Sequence, residues 1–180
     1  MEPLTRITYL FKQYDNILGW YHQAESKGTL LHAINGVLVT ALNGLVFLKG
    51  GQAEMRHSPG MLALLALSAV CVVGSYLFML KAVWARHHGR EPPLMDKEKL
   101  WFFGHVASLP RETYKRLLDP FVEADIEATM LAQNHILARN VTTKFNALNW
   151  AISLTIAAII AFFLMGLVYA LEAVHRGGVA

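Results

Sequence analysis

Charge disappears from this chain in three long apolar runs. Between Lys27 and Lys49 lie 21 residues without Asp, Glu, Lys or Arg; 23 more run from Ser58 to Leu80, and 27 from Phe145 to Leu171. A helix needs roughly 20 apolar residues to cross about 30 Å of hydrocarbon, so each run predicts a membrane span. The first is interrupted by His32, Asn35, Thr40 and Asn43, and it holds Asn-Gly twice, at Asn35-Gly36 and Asn43-Gly44. Asn-Gly favours a tight turn in water. A turn exposed to hydrocarbon strands backbone N–H and C=O groups at several kcal/mol each, so helix is the expectation here too. On that helix His32, Asn35, Gly36, Thr40, Asn43 and Gly44 fall along one stripe. Gly36, Thr40 and Gly44 also form a small-xxx-small row that lets another helix approach closely. The stripe is expected to meet protein or water. It is either a dry, polar-seamed helix contact or the lining of an aqueous path in an oligomer. His32, its ionisable member, lies five residues past Lys27, near the interface.

Outside the runs the pattern stays helical. Residues 1–26 predict an amphipathic cytosolic or interfacial helix, with Ile7, Leu10, Phe11, Tyr14, Ile17, Leu18 and Tyr21 at helical spacing. Residues 82–144 read as a cytosolic helical segment whose start is made irregular by Gly89 and Pro92-Pro93. In it Trp101, Phe102 and Phe103 are expected to bury against helices or the interface. Asp119 and Pro120 look like a helix cap and first turn. From Phe121 to Met165 there is neither Pro nor Gly, which permits one helix of about 65 Å running through the third span. Its apolar positions recur every eleven residues, as Ile126, Leu137, Leu148 and Met130, Val141, Ile152. Gln133 and Asn140 lie near the same seam. Ile126, Met130, Gln133, Leu137, Asn140 and Val141 are therefore expected to form an oligomer seam.

Composition and charge refine this picture. The chain is 54% hydrophobic and 16% charged, against about 25% charged in soluble domains. Thirteen Lys and Arg fall in the N-terminal and central segments and three in the short loop and C-terminal tail. The asymmetry places the first two in the cytoplasm. The expected order is residues 1–26, a span at 28–48, a periplasmic loop at 49–58, a span at 59–81, the segment 82–144, a span at 145–171 and a periplasmic tail at 172–180. The fold class is an all-α membrane protein, assembled as a homo-oligomeric bundle. Cys71 stands alone in an apolar run and reads as a small buried hydrophobe. His87-His88 lack a third ligand nearby, and Asp125 and Glu127 point to different helix faces. No phosphate-cradling loop, zinc-protease motif or nucleophile elbow is present. Neither an enzyme, a metal, a cofactor nor duplex nucleic acid as partner is expected.

Four stretches stand in a recognisable order: "AESKGTLLHAINGVL" from Ala24, "YLFMLKAVWAR" from Tyr76, "KLWFFGHVASLPRETYKRLL" from Lys99 and "DIEATMLAQNHILARNVTTKFNALNWAI" from Asp125. This order resembles the Pycsar-type transmembrane effector family of bacterial anti-phage defence. The matching positions are Lys27, Asn35, Gly36, Phe102, Phe103, Gly104, Gln133, Lys144 and Phe145. Glu25 stands where the family has Asp, and Gly28 where it has Ala, which makes a kink at the entry to the first span an expectation. The resemblance implies an inner-membrane effector held inactive until infection. A nucleotide second messenger from a neighbouring cyclase or nucleotidyltransferase switches it. Four residues follow Arg176, so the separate nucleotide-binding domain of some relatives is not expected after the third span. The phosphate would then meet Arg86, Arg90, Lys97, Lys99, Arg111, Lys115 or Arg116, whose ordinary alternative is a solvated or lipid-facing role. Three spans cannot enclose a wet channel alone, so the expected effector is a homo-oligomeric gated pore, a tetramer or larger. It would breach the membrane and cause growth arrest or abortive infection. The rival reading is a non-conducting scaffold or regulatory subunit for a cytosolic partner. A transporter would need repeated halves with broken helices, which three unequal spans do not supply.

Overall fold

The computed structural model describes residues 3–47, 58–84, 100 and 103–177. Five helices are described, in the order α1 (Pro3–Phe47), α2 (Pro59–Val83), α3 (Phe103–Ser108), α4 (Arg111–Leu118) and α5 (Glu123–Gly177). α1, α2 and α5 are each long and apolar enough to cross a membrane. The long runs win over the Asn-Gly turn signals for the reason given above: within an apolar tract a helix satisfies every backbone group internally.

The helix ends follow local chemistry. α2 opens with Ser58 in extended backbone as N-cap and Pro59 just inside, and the Ser58 hydroxyl accepts from Met61 N–H at 3.5 Å. It closes with Lys81 in its last turn, where a cation suits the partial negative charge of the carbonyl end. Asp119 is not the cap of the last helix. It ends α4, with its N–H on Lys115 C=O at 2.9 Å. α5 starts at Glu123 instead, and Asp125 reaches back to accept from Val122 N–H at 3.2 Å. That is the return half of a capping box, and it displaces the start by a turn. α5 then continues without interruption for 55 residues.

Contacts divide the chain into two compact units. One holds residues 1–24 and 85–143, the other 25–84 and 144–180. In the first, Leu10 and Ala24 of α1 and Met130 and Val141 of α5 are buried. Arg6 pairs with Glu127 at 2.9 Å. In the second, three apolar clusters join the spans: Leu38, Leu42, Cys71, Val72 and Ala158; Leu31, Met79 and Ala151; Met61 and Met165. Here α1 and α5 run parallel in fixed register. Glu25 meets Lys144 and Asn35 meets Thr155, offsets of 119 and 120 residues. α2 runs antiparallel between them, Ser75 lying level with Asn35 and Met79 with Leu31.

Helical hydrogen bonding carries on through Gly28, where a kink was the expectation. A methyl group there would meet only Leu148 Cδ2, at an ordinary 3.7 Å. Gly in a helix costs about 0.8–1 kcal/mol relative to Ala. Gly28→Ala is therefore expected to stabilise the protein by up to about 1 kcal/mol, read as a higher unfolding midpoint in detergent. Gly74 gives the opposite case: a Cβ there would lie 3.1 Å from Leu154 Cδ1, so Gly74→Leu is expected to lower the midpoint.

Candidate functional site

The spans are held at one level by a closed ring of hydrogen bonds. Asn35 Nδ2 donates to Ser75 Oγ at 2.8 Å. Ser75 Oγ and Thr155 Oγ1 lie 2.9 Å apart, and Thr155 Oγ1 donates to Asn35 Oδ1 at 3.0 Å. Each hydroxyl has a single proton. Because the amide nitrogen can only donate and its oxygen only accept, the ring runs in one direction: Asn35 to Ser75, Ser75 to Thr155, Thr155 back to Asn35. The second amide proton of Asn35 faces Met79 Sδ at 3.6 Å. All three residues are buried, Asn35 to 0% exposure. A third buried hydroxyl, Ser68, donates to Ala158 C=O at 3.1 Å.

Midway along α1, on the N-terminal side of Asn35, a clasp joins α1 to α5 twice, with the roles exchanged. Lys144 Nζ donates to Glu25 Oε1 at 3.1 Å, and Lys27 Nζ lies 5.2 Å from the Phe145 ring centroid. The Lys144 side chain is 14% exposed and Glu25 is 50% exposed. A half-exposed pair contributes about 0.2–1 kcal/mol, so the clasp sets orientation more than stability. At the other end Ser58 Oγ donates to Glu172 Oε1 at 2.6 Å.

The predicted stripe on α1 divides into an inner edge and an outer one. Asn35 turns inward to the ring. His32 is exposed and packs edge-on against Tyr76, with centroids 5.6 Å apart. Thr40 bonds back to Gly36 C=O at 2.9 Å. Asn43 is exposed, and its side chain has no partner among the described residues. At Gly36 and Gly44 a Cβ would meet nothing within 4 Å, so among the described residues no helix packs into the small-residue row. At about 100° per residue Gly36, Thr40 and Asn43 centre roughly a quarter turn from Asn35, which is why one stripe serves two surroundings.

The seam on α5 has a partner inside the chain. Met130 and Val141 are buried, Ile126, Gln133 and Leu137 half-buried, and Asn140 exposed. The first part of α1 meets α5 along this stretch, through Arg6 with Glu127 and through Leu10 and Gln13 with Asn134. The buried amide is Asn134, one residue beyond Gln133. It donates to Leu10 C=O at 3.0 Å and to Gln13 Oε1 at 3.3 Å, while its own Oδ1 is buried without a partner. Of the phosphate candidates, Arg111, Lys115 and Arg116 are exposed on α4. Arg86, Arg90, Lys97 and Lys99 lie outside the described residues, as do Trp101 and Phe102. Phe103 and Gly104 open α3.

Sequence reasoning missed Ser75, Thr155 and Asn134. A signal for the hydroxyls existed: a buried amide needs both donors and acceptors on neighbouring helices. Ser and Thr supply both in a small side chain that fits between close-packed spans.

The ring yields an ordering of variants. Thr155→Val leaves Asn35 Oδ1 buried and unpaired, at a cost of about 1–3 kcal/mol. Asn35→Leu is expected to cost less through hydrogen bonding, because Thr155 can fall back on Ala151 C=O, already 3.0 Å away. A double-mutant cycle on unfolding in mixed micelles is expected to give a coupling of about 0.6–1.7 kcal/mol between the two positions. Additive effects would show that the ring is not one unit.

Residues 9–171 match the family model of the Pycsar effector protein domain. No curated protein and no solved structure matches the chain. The residues that carry the sequence resemblance take on physical roles in the fold: Lys27, Lys144 and Phe145 in the clasp, with Glu25 in the family's Asp position, and Asn35 in the ring. With nearly the whole chain matched, this protein belongs to the Pycsar effector family, the membrane effectors of cyclic-nucleotide-signalled anti-phage defence.

Proposed function

We propose that copies of this chain assemble in the inner membrane into a closed homo-oligomer, a tetramer or larger, whose spans form a gated pore. The N-terminus lies in the cytoplasm and the C-terminus in the periplasm. A cyclic nucleotide made by a partner cyclase opens the pore, and the loss of the membrane barrier arrests growth. The observation that carries this reading is Asn43. It is exposed on α1, about 12 Å beyond Asn35 at 1.5 Å per residue, and its amide has no partner among the described residues. In hydrocarbon an unpaired amide costs several kcal/mol. Water in a lumen, or a neighbouring copy, removes that cost. Only 22–28% of each span's most apolar window is buried inside the chain, which leaves ample surface for both lipid and copies.

Gating needs a state that a ligand can bias. The cytosolic contact between α1 and α5 supplies one. Asn134 closes it with an unsatisfied carbonyl, so the closed arrangement carries a cost of about 1–3 kcal/mol that separation would relieve. Arg111, Lys115 and Arg116 on α4, all exposed, are the members of the predicted phosphate set that the structure describes.

A second reading, a non-conducting scaffold, is favoured by one observation: Asn35, the innermost polar residue of the stripe, is fully satisfied inside its own chain. Asn43→Leu separates the two. In proteoliposomes holding a potential, the pore reading expects the wild-type chain with cyclic nucleotide to dissipate it. Asn43→Leu should assemble normally on cross-linking yet conduct at least tenfold less. A wild-type chain that leaves the potential intact with every cyclic nucleotide, or an Asn43→Leu chain that conducts undiminished, would sink the assignment of this lining.

A further inference from the structure

We propose that the face of α2 ending at Lys81 is a binding site for one anionic phospholipid, with the lipid phosphate on the Lys81 ammonium and an acyl chain along Leu77, Val73 and Val70. The argument begins with depth. Lys81 lies six residues from Ser75 toward the C-terminal end of α2, and Trp150 five residues from Thr155 toward the N-terminal end of α5. The two helices are antiparallel, so both residues lie about 8–9 Å from the hydrogen-bonded ring on the same side of it. This is the side that carries the Glu25–Lys144 clasp. It is the level at which amphipathic rings and cations settle in a bilayer.

At that level the side chains form a ledge. The Lys81 ammonium lies 6.0 Å from the Phe78 ring centroid. Phe78 is in turn stacked on Trp150, with centroids 6.1 Å apart and planes 21° from parallel. Trp150 is 62% exposed. The two rings span α2 and α5, so the ledge is fixed by both helices. Lys81 is exposed and has no carboxylate partner among the described residues. Its charge is therefore open to an outside anion, while the aromatic ring beneath holds the stem in place.

The spacing along α2 makes the ligand two-ended. Val70, Val73, Leu77 and Lys81 follow steps of three, four and four, the spacing of one helix face. The three apolar members are exposed, Val70 to 69%, Val73 to 59% and Leu77 to 62%. From Val70 to Lys81 the face is about 16 Å long. A cation over an apolar track of that length matches a phosphate joined to an acyl chain. A free phosphate or nucleotide would use the cation and leave the track bare. Among lipids, the anionic ones gain the charge interaction.

The test uses the full chain released from detergent for native mass spectrometry, titrated with phosphatidylglycerol and phosphatidylcholine. The wild type is expected to prefer phosphatidylglycerol. A single Lys near the surface is worth about 1 kcal/mol, so Lys81→Gln should reduce the preference about fivefold, and Lys81→Arg should keep it. Leu77→Asn should weaken both lipids alike. Lys115→Gln, on α4, should change nothing. The site is overturned if Lys81→Gln, with wild-type helicity by circular dichroism, leaves the preference intact. It is equally overturned if millimolar inorganic phosphate or cyclic nucleotide displaces the lipid, since the site would then take a free anion. Neither result bears on conductance, so this assignment stands or falls separately from the pore.

Discussion

An amide inside hydrocarbon has no water to fall back on, and the ring of Asn35, Ser75 and Thr155 is the solution this chain adopts. Three helices each give one polar side chain, and the cycle leaves no hydroxyl proton and no amide oxygen unpaired. Because the amide fixes the direction of the cycle, the ring also fixes level. Sliding α1 by one turn against α5 would bring Asn35 opposite Ala151 or Ile159, neither of which has a polar side chain. The register of 120 residues between α1 and α5, and the level of α2 against them, follow from this demand. The packing around it is small and close. Ala151 and Ala158 are fully buried, and Gly74 leaves just enough room for Leu154. Such residues let backbones approach until dispersion contacts hold the spans.

The same physics gives α1 its two characters. Its inner edge is satisfied within one chain and is dry. Its outer edge carries Thr40, which serves itself through Gly36 C=O, and Asn43, which has no partner among the described residues. A protomer is thus internally complete at the ring and incomplete about 12 Å farther along the helix. In the proposed pore this division is useful. The fold of each copy does not depend on assembly, whereas the stability of the assembly depends on whether Asn43 meets water, another copy or lipid. An effector that stays harmless until signalled needs protomers that survive unassembled or closed.

The sequence reveals the three spans, the long unbroken α5 and the helical state of both Asn-Gly pairs, because each rests on a large, local cost: unsatisfied backbone in hydrocarbon. It also marks Asn35 and Asn43 as unusual, but not that they would part company. Separating them requires knowing which side of α1 meets α2, and no periodicity within α1 contains that. Ser75 and Thr155 are common residues in apolar runs and acquire meaning only beside an amide from another helix. The α5 seam is legible only in part for a related reason. Its eleven-residue rows mark Met130 and Val141 for burial, but give no hint that Asn134 beside them bonds to Leu10 and Gln13 of α1. Asp119 shows the limit of local rules. Asp followed by Pro satisfies the capping pattern at 119–120, yet Asp125 outcompetes it through a bond to Val122 N–H.

Within the unit of residues 25–84 and 144–180, the side-chain pairs at its boundary are Glu25 with Lys144 and Lys27 with Phe145. These two pairs are weak, half-exposed and geometrically specific. The ring lies about 15 Å farther in, stronger and closed. A small displacement can therefore exchange the clasp's partners at little cost, while the ring resists both sliding and rotation of α1, since either carries Asn35 away from Ser75 and Thr155.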